Sequence, residues 1–131
     1  MLMSITSIMF RKTAKKSDDA RDAGLTTPQD IERFDDIVYG ENEEWNVLDV
    51  YRPKAEMSRN LPVIVSVHGG GWVYGDKELY QYYCMSLAQR GFAVVNFTYR
   101  LAPEYKFPAP LEDVKSAVRF LRANAEKFSI D

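Results

Sequence analysis

The chain is 131 residues long, 46% hydrophobic and 27% charged, the balance of one globular domain and not of a disordered tail. Seventeen Lys and Arg against nineteen Asp and Glu give a net charge of −2, so the basic excess that grips a phosphate backbone is absent and nucleic-acid binding is not expected. One cysteine, Cys84, excludes an internal disulfide, and one histidine, His68, leaves no ligand cluster for a structural zinc.

Met1 to Phe10 is apolar but short, and Arg11, Lys12, Lys15 and Lys16 follow this run instead of preceding it as in a signal peptide. No apolar run is long enough to span a bilayer. With Ile5, Ile8 and Met9 spaced along it, the segment reads as a packing or cap helix, with an amphipathic surface helix as the alternative. Residues 1–35 are therefore expected to form an N-terminal helical, cap-like segment, and the chain to be soluble and cytoplasmic. Within that segment Thr27-Pro28-Gln29-Asp30 predicts a helix start, with Thr27 as N-cap, Pro28 in the first position and Asp30 as the reciprocal acid.

Further along, Ile37-Val38-Tyr39, the turn-like Gly40 to Glu44 and the β-branched and aromatic stretch Trp45 to Tyr51 predict an antiparallel hairpin at a sheet edge. Arg52-Pro53 ends it, because proline has no amide to donate. Val63 to Val67 is a nearly unbroken apolar run, which predicts a strand buried on both faces of a parallel sheet. Glu78 to Arg90 reads as a helix closed by Gly91, and Phe92 to Tyr99 as a second buried strand. Leu111, Val114, Val118, Leu121, Ala125 and Phe128 recur at spacings of three and four and predict an amphipathic helix, with Pro110 in its first turn. The succession is an α/β fold: an edge hairpin, then parallel strand-helix-strand-helix.

The chemistry concentrates in His68-Gly69-Gly70-Gly71-Trp72, directly after the first apolar strand. Ligands of open α/β sheets bind at the carboxyl ends of strands. Consecutive glycines admit backbone angles closed to other residues and let amide N–H groups approach a ligand unshielded. Two such amides aimed at one point form an oxyanion hole. A phosphate loop does not fit, because Gly75-Asp76-Lys77 lacks the Gly-x4-Gly-Lys-Ser/Thr form, and a dinucleotide fingerprint fails because Tyr74 stands where its third glycine belongs.

This loop, then Gly75-Asp76-Lys77, Tyr99-Arg100-Leu101-Ala102-Pro103-Glu104, Phe107-Pro108-Ala109 and Leu111-Glu112-Asp113, resemble the α/β-hydrolases of the hormone-sensitive-lipase-like type. Trp72 and Gly75-Asp76-Lys77 are also similar to the related bacterial acetyl- and feruloyl-esterase group. The resemblance runs from about Val47 to Asp131 and implies a carboxylic-ester hydrolase, a serine esterase or lipase, with a small acyl ester as its partner molecule and no metal or cofactor. It implies that the amides of Gly70 and Gly71 form the oxyanion hole, that His68, Gly69 and Trp72 support the loop, and that Tyr74 faces substrate or packs as a core aromatic. Asp76 is expected to cap the next helix, Asp113 to anchor a turn, and Cys84 to be a small core residue.

The family nucleophile, a serine in Gly-x-Ser-x-Gly on the next strand, has no counterpart among the serines here, and the only histidine is already part of the glycine loop. Residues 36–131 are thus expected to be a partial α/β-hydrolase domain, the N-terminal half, ending before the nucleophile strand. The chain is expected to be inactive alone. The alternatives are a non-catalytic small-molecule binding protein of the same fold, or a half-chain working with a partner polypeptide. In the family's usual strand order the absent strand lies beside Val63 to Val67, so that edge is expected to support self-association or pairing with a complementary chain.

Overall fold

A computed structural model describes residues 3–131. Met1 and Leu2, the first two residues of the apolar start, lie outside the described residues. The chain order is α1 (Ile5–Asp22), β1 (Ile31–Val38), β2 (Val47–Pro53), a 3-10 turn (Lys54–Glu56), β3 (Val63–Val67), α2 (Gln81–Ala88), β4 (Ala93–Phe97), α3 (Ala109–Ala123) and α4 (Ala125–Phe128). The strands form one sheet in the order β1-β2-β4-β3. β1 and β2 pair antiparallel, β2 and β4 antiparallel, and β3 and β4 parallel with Val65 opposite Val95.

Side chains alternate across the sheet as strand geometry requires. Leu48 and Val50 of β2, with Ala93, Val95 and Phe97 of β4, face Ala117 and Leu121 of α3 and Phe128 of α4. On the other face, Tyr51 and Val94 meet Cys84, Met85 and Ala88 of α2. Cys84 is fully buried there, the small core residue its context suggests. β4, the central parallel strand, is buried along its whole length.

β3 is not buried on both faces: its first four residues are half-buried and Val67 is exposed, because β3 is the last strand of the sheet. Its outer side begins a parallel pairing with the final residues. Leu61 N donates to Ser129 O at 3.0 Å, Asp131 N to Leu61 O at 2.9 Å, and Val63 N to Asp131 O at 3.3 Å. Val63, Val65, Val118, Leu121, Ala125 and Ile130 line an apolar groove of about 430 Å³ along this edge.

Three local expectations change. Thr27 to Asp30 starts no helix; Ile31 N donates to Pro28 O, and the chain enters β1 at Ile31, which is 2% exposed and lies opposite Pro53. A buried strand position outweighs a capping signature that has no apolar helical face behind it. α2 starts at Gln81, so Asp76 caps the turn ahead of it, accepting from Glu78 N at 2.8 Å. The last helix breaks at Asn124, and its buried line is Pro110, Asp113, Ala117 and Leu121 while Leu111 is exposed. Counting only apolar side chains misplaced that face, because its second member is a buried carboxylate.

Within residues 1–35, Ile5–Asp22 forms α1, and from Ile31 the chain already belongs to β1, so the boundary expected after residue 35 falls inside a strand. α1 is capped by Ser4, whose hydroxyl accepts from Ser7 N, yet none of its described residues is buried. Its contacts with the rest of the chain include hydrogen bonds, Arg11 donating to Ala102 O at 3.1 Å, Tyr74 to Asp18 at 2.7 Å and Arg21 to Leu79 O at 2.5 Å, and the packing of Phe10 against Tyr74. No described helix is long and apolar enough to cross a membrane.

Candidate active site

The loop from His68 to Lys77 leaves the carboxyl end of β3 and turns sharply. Gly70, Gly71 and Trp72 have φ of +127°, +61° and +66° in succession. The turn closes on one carbonyl: Val73 N and Tyr74 N both donate to Gly70 O, at 3.2 and 3.1 Å. Two glycines are sterically required. A Cβ on Gly70 overlaps the Tyr74 carbonyl oxygen, and a Cβ on Gly75 overlaps the His68 ring.

The amides of Gly70 and Gly71 donate to no acceptor among the described residues. They belong to a loop braced from outside, since Ala102 N donates to Trp72 O at 2.8 Å. Donors held in place without a partner suit a charge that appears only during reaction.

His68 is 2% exposed and its ring is committed to the loop. Its Nδ1 lies 2.7 Å from Gly69 O, an atom that only accepts, so Nδ1 carries the proton. Nε2 is then a buried lone pair without a partner among the described residues. The ring stacks on Tyr99 at 4.2 Å and 14°, and the Tyr99 hydroxyl donates to His68 O at 2.6 Å. Burial pushes the imidazole below its ordinary pKa, with the Gly69 hydrogen bond and then the Asp76 carboxylate acting the other way. The group is neutral near pH 7 and points to no serine. Trp72 packs edge-on to the same tyrosine at 6.0 Å and is 58% exposed. With Ala102, Tyr105, Phe107, Pro110 and Leu111 it lines an apolar groove of about 440 Å³ beside the loop.

Tyr74 is held against α1: besides the bond to Asp18, its ring packs edge-on to Phe10 at 6.3 Å. Burial and then the Asp18 carboxylate push its phenol up. Asp113 anchors the turn after β4, accepting from Arg100 N at 2.8 Å and gripping the Arg100 guanidinium at 2.8–3.0 Å. Asp113 in turn raises the guanidinium. Glu104 is exposed. Tyr99 stands in the sequence at the end of an apolar strand and at the head of the Tyr99-Arg100 motif, but neither pattern shows that its ring stacks on His68. Among the described residues no group of three or more His, Cys, Asp or Glu is placed to hold a metal.

The BD-FAE family model matches residues 48–131. The chain belongs to the BD-FAE family. Esterase LipC of Mycobacterium tuberculosis is 36% identical over 96 residues, 72% of this chain and 24% of its own. Esterase LipQ of the same organism is 31% identical, covering 95% of this chain and 32% of its own. The crystal structure of inhibited esterase B from Lactobacillus rhamnosis superposes with a TM-score of 0.89 at 28% identity, over 96% of this chain and 41% of that one. The BD-FAE chain thus has the α/β-hydrolase fold of esterases, and it spans a quarter to a third of the length of these two curated relatives.

Proposed function

We propose that this chain supplies the oxyanion half of a serine carboxylic-ester hydrolase, the amides of Gly70 and Gly71 receiving the charge that develops on the ester carbonyl oxygen. One observation carries the reading: two partnerless amides in a positive-φ turn at the carboxyl end of β3, braced by the His68–Tyr99 stack. The esterase names of LipC, LipQ and esterase B support the class of reaction. In it a serine hydroxyl attacks the carbonyl carbon while a base takes its proton, and the oxygen becomes an oxyanion. Collapse expels the alcohol, and water then frees the acid from the acyl-serine. The groove beside Trp72 receives an apolar part of the ester.

The nucleophile, acid and base belong to polypeptide outside residues 1–131. His68, neutral and bound to Gly69 O, does not act as the base. The purified chain is therefore expected to hydrolyse 4-nitrophenyl acetate no faster than buffer and to form no adduct with a fluorophosphonate. Turnover by material of confirmed mass, or an adduct on any serine, contradicts this.

The outer edge of β3 supports a second part of the reading. Ser129 to Asp131 already lie alongside Leu61 to Val63, and Ile64 to Val67 offer the rest of that edge to a further strand. The chain alone is expected to self-associate through this edge at high concentration. A strictly monomeric species in sedimentation equilibrium is the contrary result.

A further inference from the structure

The glycine loop ends at Lys77, and this residue is tied down from three strands. Its ammonium lies 3.0 Å from both Asp49 carboxylate oxygens on β2 and 3.0 Å from Asp36 on β1. Its backbone is fixed to β4 and the residue that follows it: Asn96 Nδ2 of β4 donates to Lys77 O, and Lys77 N donates to Thr98 Oγ1 at 3.0 Å. Asp49 is fully buried and is otherwise occupied by Asp36 N at 2.9 Å and the Tyr51 hydroxyl at 3.2 Å. Arg33 stands at 4.0 Å from Asp49 and brings a second positive charge.

The edge strand is reshaped around this contact. The β1–β2 register shifts between Phe34 and Ile37, and Asp36 in that bulge has φ +57°, left-handed backbone that Asp tolerates better than most residues. The bulge turns the Asp36 amide to Asp49 and the Asp36 carboxylate to Lys77. Burial alone would lower the Lys77 ammonium; Asp49 and Asp36 together outweigh it and hold it above its ordinary value. Two residues before Lys77 stands Gly75, in contact with the His68 ring. The ring is stacked on Tyr99 and bonded to Gly69 O, at the entry to the same loop.

We propose that Lys77 is a positioning residue for the oxyanion hole: clamped by Asp49 and by the bulged Asp36, it fixes the outgoing end of the glycine loop and acts through Gly75 and His68. This rests on the reading of Gly70 and Gly71 as the oxyanion donors. A buried lysine suits this task because one ammonium satisfies two carboxylates from two strands and leaves neither charge unpaired. Lys77 touches no reacting atom; it determines where the donors stand.

The test is NMR of the whole chain, with two variants. Asp36→Asn removes one carboxylate that is 77% exposed, keeps a residue suited to the left-handed turn and leaves the Lys77–Asp49 pair intact, so it folds. Lys77→Met breaks the buried pair. The readouts are amide exchange at Val73 and Tyr74, both closed on Gly70 O, and the ring resonances of His68, the single histidine, shifted by the Tyr99 ring beneath it. Exchange at Val73 and Tyr74 is expected to rise about threefold in Asp36→Asn, as for a screened ion pair, and about a hundredfold or more in Lys77→Met. The His68 resonances are expected to move toward unstacked positions, with Val95 in the sheet centre unchanged in Asp36→Asn. Unaltered loop exchange and His68 resonances in a folded Asp36→Asn overturn the proposal, and so does equal acceleration at Val95. If Lys77→Met fails to fold, Asp36→Asn decides alone. None of these readouts involves ester chemistry, so an unmoved loop refutes the clamp and leaves the oxyanion reading to its own kinetic test.

Discussion

Removing the Asp113 carboxylate is the sharpest probe of how the site is supported. The side chain is 4% exposed and accepts both the Arg100 amide and the Arg100 guanidinium. In Asp113→Ala the half-buried Arg100 amide loses its acceptor, a loss of about 1–3 kcal/mol. Breaking a buried ion pair costs about 3–5 kcal/mol when the remaining charge is sealed from water. Arg100 is 24% exposed and keeps Glu112 at 3.5 Å, so the guanidinium escapes most of that penalty. The two effects together come to about 3 kcal/mol, a large part of the roughly 5–15 kcal/mol that holds a domain folded. Urea unfolding followed by tryptophan fluorescence measures it. Glu112→Ala is the control: that side chain is 59% exposed, and its removal is expected to change stability by less than about 0.5 kcal/mol. The consequence reaches the site, because Arg100 opens the turn whose Ala102 amide holds Trp72 O. A loss below about 1 kcal/mol in Asp113→Ala, or an equal loss in Glu112→Ala, refutes the reasoning.

The remaining predictions concern the loop and the chain's far end. Because burial lowers the His68 pKa in the fold, the folded state binds fewer protons than the unfolded one in the acid range. The stability this imposes is complete above the ordinary histidine value of about 6.5 and falls as pH drops below it. The urea midpoint is expected to decline from pH 7.5 to 5.5, and His68→Phe, which keeps the stack on Tyr99, to flatten the decline; an unchanged slope contradicts the assignment. Gly71→Ala, with open space at its Cβ but φ +61°, is expected to cost about 1–2 kcal/mol in the same urea assay and to leave the fold intact. Arg52, 1% exposed, donates to the carbonyls of Phe128, Ser129, Glu56 and Arg59 and has no acidic partner among the described residues. Burial lowers its guanidinium. Arg52→Met is expected to strip one buried and three half-buried carbonyls of their donor and to speed amide exchange at Asp131 and Val63 at least tenfold, which measures the loosening of the segment beside β3.

What the sequence made legible followed from short-range pattern. The apolar run of β4 and the glycine loop after Val67 are each carried by consecutive residues and lie where the pattern puts them, while the helix before Gly91 is shorter than its pattern, Gln81–Ala88 in place of Glu78 to Arg90. The misreadings share one cause, a local signal outweighed by a distant partner. Thr27-Pro28 reads as a cap until Ile31 is seen opposite Pro53, and Val63 to Val67 reads as buried on both faces although, as the last strand of the sheet, it is only half-buried. Asp113 spoils the apolar count of α3 because Arg100 makes a carboxylate acceptable in the core. Asp49, in a run of apolar neighbours, gives no sign that Lys77, 28 residues away, is its counter-ion. Nor does the sequence show that Tyr74 is tied to Asp18, since that contact depends on where α1 docks.

The central claim is that Gly70 and Gly71 hold an oxyanion, and Gly70→Ala tests it most directly. A Cβ there overlaps the Tyr74 carbonyl oxygen, so the turn must move and the two amides with it. The measurement is kcat for 4-nitrophenyl acetate in a polypeptide that carries this segment together with a Gly-x-Ser-x-Gly strand and its histidine. Loss of oxyanion contacts is expected to lower kcat by about 10²–10³ with little change in KM. A kcat within about threefold of the unsubstituted protein, in a variant shown to be folded, contradicts the account.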